Sequence, residues 1–247
     1  GTSIGTGANP LNTQVSSLAA TATSGGVFIA EADGVELRTI NAGGGSGNVT
    51  ITAGGAITDD GNNATVVAAN TLTLSGSSIG AAGANAQIDT DVITLNATAS
   101  SGGIYIGEAN NLTLGTVNAG ANAVTLTAGG AITDGAGTSV TAGTLTLSAA
   151  SIGTAGNELN IDVSSLTATA TAGGVYITED DGLTLTNVSA AGAGNDVVVT
   201  STTGDIVVGA VSAPDEVRLT ASAGDILDDG NAATAVSGGA ISLSAQN

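Results

Sequence analysis

The chain contains no cysteine, histidine, methionine, tryptophan or lysine. Each absence closes off a class of chemistry. Without cysteine there is no disulfide framework, no thiolate nucleophile and no thiolate metal ligand. Without histidine, the side chain that most often shuttles protons near neutral pH is missing. One phenylalanine and two tyrosines in 247 residues cannot fill an ordinary globular core, where aromatic rings supply much of the buried area. Positive charge is almost absent too. Arg38 and Arg218 stand against 21 carboxylates, for a formal charge of −19. Nucleic acids and anionic membranes are held by Lys and Arg neutralising phosphate, so neither is an expected partner. No apolar run is long enough to span a bilayer. The first residue is a glycine inside an already repetitive stretch without a signal-peptide pattern, as expected of mature or excised material.

What the chain has is repetition. VTITAGGAITDDG at residues 49–61 returns as VTLTAGGAITDG at 124–135, and more loosely as SAGDILDDGN at 222–231. Ser3-Ile4-Gly5 returns at Ser78-Ile79-Gly80 and Ser151-Ile152-Gly153. Gly25-Gly26-Val27-Phe28-Ile29 returns as Gly102-Gly103-Ile104-Tyr105-Ile106 and Gly173-Gly174-Val175-Tyr176-Ile177. The spacing defines three copies of a unit of about 74 residues, over 1–77, 78–150 and 151–247, within one continuous domain.

Inside each unit, short runs alternate apolar and polar residues with period two. In LTATATAGGVYI (166–177), Leu166, Ala168 and Ala170 share one face and Thr167, Thr169 and Thr171 the other, the pattern of a strand buried on one side. Gly-Gly or Asp-Gly then breaks the run with a corner. No such strand can bury its face alone, whereas stacked coils can. The expected fold is therefore all-β, a right-handed parallel β-helix, or β-solenoid, of about 13 rungs of ~19 residues, the third unit having an extra rung.

The phrases VTLTAGGAITD, SLTATATAGGVYITE and SIGTAGNELNIDV resemble the repetitive shafts of filamentous-haemagglutinin-like exoproteins, large bacterial adhesins of the two-partner secretion type. The resemblance implies a right-handed β-helix, export to the bacterial cell surface or the extracellular space, and service as an adhesin shaft, filament or biofilm matrix component. It carries over no catalytic residues. The last run, ISLSAQN, stops where its counterparts continue into Ser-Ile-Gly, and neither end carries a recognisable cap. End-to-end self-association, or a slice of a longer shaft, is expected.

Candidate sites are few. The acidic corners Asp33, Asp59-Asp60, Asp134, Glu179-Asp180-Asp181 and Asp228-Asp229 offer oxygen ligands suited to calcium, with Asp180 and Asp181 the best placed; Asp-Gly also serves tight turns and solubility. Phe28, Tyr105 and Tyr176 point outward by alternation, where they could stack on a sugar or cover a neighbouring corner. Thr-x-Thr pairs at 71/73, 125/127, 144/146, 167/169 and 184/186 match ice-binding arrays in form. Thr is common on any solvated strand, and Glu36, Arg38, Asn96 and Arg218 interrupt the series. Catalysis on polysaccharides, which other β-helices perform, needs acids converging with a cation, metal or histidine in one groove. The chain is expected not to be an enzyme, and to need no cofactor other than a possible calcium ion. Polysaccharide or cell-surface ligands remain the expected partners besides the chain itself.

Overall fold

The structure is a computed structural model that describes residues 2–83, 85–135 and 140–246. It is an all-β parallel solenoid. Its 23 strands belong to one hydrogen-bonded sheet, and among the described residues the single helical piece is a 3-10 turn at Gly43–Gly45.

The pairing follows two ladders. From Val27 the first climbs through Val49, Leu72 and Leu95 to the strand Leu112–Asn118. It continues through Ile132, Ile152, Val175, Val197 and Val217 to Ile241. From Val35 the second climbs through Ile57, Ile79, Ile104, Val124, Leu145 and Leu166 to Leu185 and Val208. Each coil supplies one segment to each ladder, and where a wall is looped a second strip runs beside it, Ile40–Val67–Thr90 in one part and Val117–Val140–Ile161 in another; the rod has two walls joined by corners. The ladder residues are the core: Val27, Val49, Leu72, Leu95 and Ile104 are all fully buried. Each such aliphatic side chain contributes about 1.5–3 kcal/mol when fully removed from water. Stacking alone therefore supports an interior almost free of aromatics.

Ten steps carry the first ladder from Val27 to Ile241, about 21 residues per coil and about 11 turns in all. This corrects the expected 13 rungs of 19. The apolar runs in the sequence are wall segments, two to a coil. Segments only three residues apart, such as Val27–Glu31 and Val35–Ala42, lie on different walls.

The unit therefore does not close on a whole number of turns. Ile4 pairs with Val27 in the first wall, Ile79 pairs with Ile57 and Ile104 in the second, and Ile152 pairs with Val175 back in the first. One unit is about three and a half turns, and equivalent residues of neighbouring units stand on different walls.

Flatness alternates with the same phase. Where wall one is built of the plain segments Val27–Glu31 and Val49–Ala53, wall two carries a loop at residues 60–66 and irregular stretches at 81–83 and 85–87. Where wall two is plain, at Ile104–Glu108 and Ala123–Ala128, wall one has a register shift between Leu114 and Val117 and a loop at 153–158. In the third unit wall one is plain again at Val175–Glu179 and Val197–Ser201, and wall two loops out at 229–235. The loops of identical pattern, Asp59-Asp60-Gly61-Asn62 and Asp228-Asp229-Gly230-Asn231, turn on glycines at φ 74° and 77°, where a side chain would be strained.

Candidate functional site

Each unit ends its aromatic phrase on a glutamate: GGVFIAE at 25–31, GGIYIGE at 102–108 and GGVYITE at 173–179. All three side chains turn inward. Glu31 and Glu108 are 4% exposed and Glu179 is 0% exposed. Each receives a backbone N–H from the preceding coil, at the rung where a looped segment gives way to a plain one.

Two of the three are well satisfied. The Thr13 hydroxyl donates to Glu31 at 2.6 Å, and the N–H groups of Val15 and Ala32 at 3.1 Å. Burial opposes ionisation of Glu31, but hydrogen bonds from Thr13, Val15 and Asp33 outweigh it and hold its pKa below the usual value. Thr90 donates to Glu108 at 2.7 Å, with Val92 and Asn110 N–H at 3.0 Å. There burial wins and the pKa rises. Next to it the Asn110 amide neutralises the approach of Asp91 by donating to it at 3.0 Å.

The third station is different. Ile161 stands where Thr13 and Thr90 stand in the other units, so the hydroxyl donor is gone. Glu179 keeps only long bonds, from Val163 N–H at 3.3 and 3.4 Å and Asp181 N–H at 3.4 Å. The flanking pair, Gln14 with Asp33 and Asp91 with Asn110 elsewhere, is here Asp162 with Asp181. Carboxylate oxygens of Asp162, Glu179 and Asp181 lie within 4.8 Å of one another. Burial first, then the negative charges of Asp181 and Asp162, push Glu179 up to about 7. A buried carboxyl among like charges takes up a proton in this way.

Of the expected acidic residues, Glu179 and Asp181 alone join this cluster; Asp180 is exposed and lines the neighbouring groove with Asn160, Asp162 and Thr202. The other pairs serve their own loops. Asp60 accepts from Asn62 N–H at 3.0 Å and Thr65 hydroxyl at 2.7 Å, and Asp59 from Gly61 N–H at 2.7 Å. Asp229 accepts from Asn231 N–H at 2.9 Å and Thr234 hydroxyl at 2.7 Å, while Asp228 is its exposed neighbour. These are loop-closing turns. Sequence reasoning missed Asp162, and it took Glu179 for part of an acidic corner instead of an inward-facing member of a repeated set. The signal was available: extending the aromatic phrase by two residues ends it on Glu in every unit.

Phe28, Tyr105 and Tyr176 are half-buried. Each ring folds back over the glycine two residues earlier. A Cβ on Gly26, Gly103 or Gly174 would come within 2.5, 2.6 and 2.5 Å of the respective ring, which is why the phrase needs glycine there. The Tyr176 hydroxyl also donates to Asp196 at 3.4 Å. Phe28 and Tyr176 belong to wall one and Tyr105 to wall two.

The threonine series also divides between walls. Thr71 and Thr73 are on wall one; the pairs at 125, 144, 167 and 184 are on wall two, on consecutive rungs. Asn96 and Arg218 sit on wall one, and Glu36 and Arg38 on a looped part of wall two. None of the four interrupts the rungs from Thr125 to Thr169.

Compared with known proteins, the chain matches no family profile, no curated protein and no solved structure.

Proposed function

We propose that the chain is a structural β-solenoid, a stiff acidic rod of the extracellular space or bacterial cell surface. It works as the shaft of a large adhesin, or as the repeating piece of a filament or matrix fibre. The observation that carries this reading is the continuity of the ladders, which run without a break through every coil and leave the rod's interior to aliphatic packing. The last described rung leaves Ile241 and Leu243 49% and 54% exposed, where their partners Val217 and Leu219 beneath are 0% exposed. Catalysis has no support in the side chains: the acids, buried or exposed, have no histidine or lysine to work with. The resemblance to filamentous-haemagglutinin-like shafts points the same way.

Electron microscopy of the purified chain tests the reading. Rods of about 50 Å, the length of 11 rungs at ~4.8 Å, single or joined end to end, are expected. Compact particles, or turnover of acidic glycans by the purified protein, would overturn it.

A second reading is favoured by the convergence of Asp162, Glu179 and Asp181: a calcium ion, which prefers several carboxylate oxygens, would bind there and bridge adjacent coils. Calorimetric titration with calcium should give one site that disappears in Asp162→Asn/Asp181→Asn. No heat of binding in the unaltered protein would dismiss it.

A further inference from the structure

The plain parts of the walls form three matching fields of four rungs each. On wall one, Phe28 and Ala30 stand beside Thr50 and Thr52, then Thr73 and Ser75, then Asn96 and Thr98. On wall two, Tyr105 and Gly107 lead to Thr125 and Thr127, Thr146 and Ser148, and Thr167 and Thr169. Back on wall one, Tyr176 and Thr178 lead to Val198 and Thr200, Arg218 and Thr220, and Ser242 and Ser244. Every field opens on an aromatic ring and continues mostly in short hydroxylated side chains, Asn96 in the first field and Val198 and Arg218 in the third being the exceptions.

No carboxylate projects from these columns, although the chain carries 21. Most acids stand at corners and on the opposite, looped wall; Glu216 is the exception, flanking the third field two residues before Arg218 on the same strand. Asp59, Asp60 and Asp89 are on wall two while wall one is plain, and Glu158 and Asp162 are on wall one while wall two is plain. The threonine hydroxyls of the wall-two field make no side-chain hydrogen bond within the protein among the described residues, so they are available to an outside partner.

We propose that these fields bind neutral polysaccharide chains and that, because successive fields face away on different walls, one rod bridges two such chains. The chemistry matches on three counts. A ring edge-bound to the wall offers its remaining surface to the C–H face of a sugar, the apolar contact aromatic side chains make well. Columns of hydroxyls exchange hydrogen bonds with sugar hydroxyls at one rung per ~4.8 Å. The net charge of −19 repels polyanions, and the columns offer no carboxylate to pair with a cationic chain, so the ligand is uncharged. A field is small, about 14 Å by 17 Å, which holds a few sugars and binds weakly alone; several fields on one rod multiply the affinity through effective concentration. The inference goes beyond the structural role and holds for a shaft segment or a filament subunit alike.

The test is depletion of the full chain from solution by microcrystalline cellulose, chitin and starch granules, with alginate as the anionic comparison. Retention on at least one neutral polymer, little changed by added salt, and none on alginate is expected. Thr125→Val/Thr146→Val/Thr167→Val removes hydroxyls while keeping β-branched shape, and should weaken retention at least threefold with an unchanged circular dichroism spectrum. Thr50→Asp/Thr73→Asp/Thr200→Asp leaves the wall-two field intact; it should still be retained, but should no longer raise the viscosity of a soluble neutral glucan as the unaltered chain does. Retention on none of the neutral polymers would overturn the proposal, as would retention unaffected by the valine variant. So would a valine variant that alters only self-association or ice growth. Electron microscopy of the same variants reports separately on the rod.

Discussion

Replacing Glu179 by glutamine isolates the strain at the third station. In the folded rod the carboxyl titrates at about 7 against 4.5 for an ordinary glutamate. Its folded pKa is raised, so the stability linked to it is fully present below about 4.5 and is lost as pH rises through about 7. The full difference of ~2.5 units corresponds to an upper bound of about 3 kcal/mol. Glu179→Gln cannot ionise, and its amide donates toward Asp162 or Asp181. The variant is therefore expected to match the unaltered protein near pH 4.5 and to exceed it by about 1–3 kcal/mol at pH 8. Urea unfolding of both proteins across that range, in chelator to remove calcium, measures this. The remaining carboxylates contribute equally to both, so the difference between them is the readout. Because coils unfold semi-independently in a solenoid, amide exchange at Val163 and Asp181 should show the same crossover locally, with Val15 beside Glu31 showing none. An identical pH dependence in the two proteins would refute the reasoning.

Restoring the missing hydroxyl should act on the same group from another side: Ile161→Thr is expected to lower the Glu179 pKa, read by carboxyl NMR titration, and no shift would count against the role assigned to Thr13 and Thr90. Gly103→Ala places a Cβ 2.6 Å from the Tyr105 ring and 2.7 Å from Ala123 O, and should cost about 1–3 kcal/mol in thermal unfolding; a neutral change would mean the ring is not seated there. Thr65→Val removes the hydroxyl that donates to Asp60 and should cost about 1 kcal/mol, with faster exchange confined to residues 60–66. Leu145→Ala opens the aliphatic interior at a residue 1% exposed, for an expected loss of about 2–5 kcal/mol.

Much of this molecule is legible in its sequence, because a solenoid writes its contacts as repetition. Period-two alternation in LTATATA, the Gly-Gly corners and the three aliphatic phrases were enough for a parallel β-solenoid. The number of turns was not legible. Runs beginning at Val35 and Val49 read as successive rungs, and only the pairings Val27 with Val49 and Val35 with Ile57 show that Val27–Glu31 and Val35–Ala42 are two walls of one coil. Residues that align between units were therefore expected in one line, when Phe28 and Tyr105 stand on different walls. The site was half legible. Asp181 was singled out as an Asp-Gly corner, but its partner Asp162 lies on the preceding coil, 19 residues away in sequence, next to a strand whose register with Glu179 no local pattern reveals. The inward turn of the glutamates was hidden for a related reason: a carboxylate at an inward position reads as an error of alternation until its hydrogen-bond donors are seen.

The half-integral unit underlies both the rod's two-sidedness and the placement of its fields, and a pair of spin-label distances tests it. Thr52 and Thr141 share wall one, joined through Ser75, Thr98 and Asn118, four rungs or ~19 Å apart. Thr52 and Thr127 are equivalent residues of successive units, and stand on different walls. With cysteine-attached labels, the Thr52–Thr127 distance is expected to be the longer of the two, because labels reaching outward from opposite walls add to the ~10 Å between packed sheets at right angles to a similar axial rise, although Thr127 is the nearer in sequence. A Thr52–Thr127 distance equal to or shorter than Thr52–Thr141 would place the units in line on one wall and contradict the architecture.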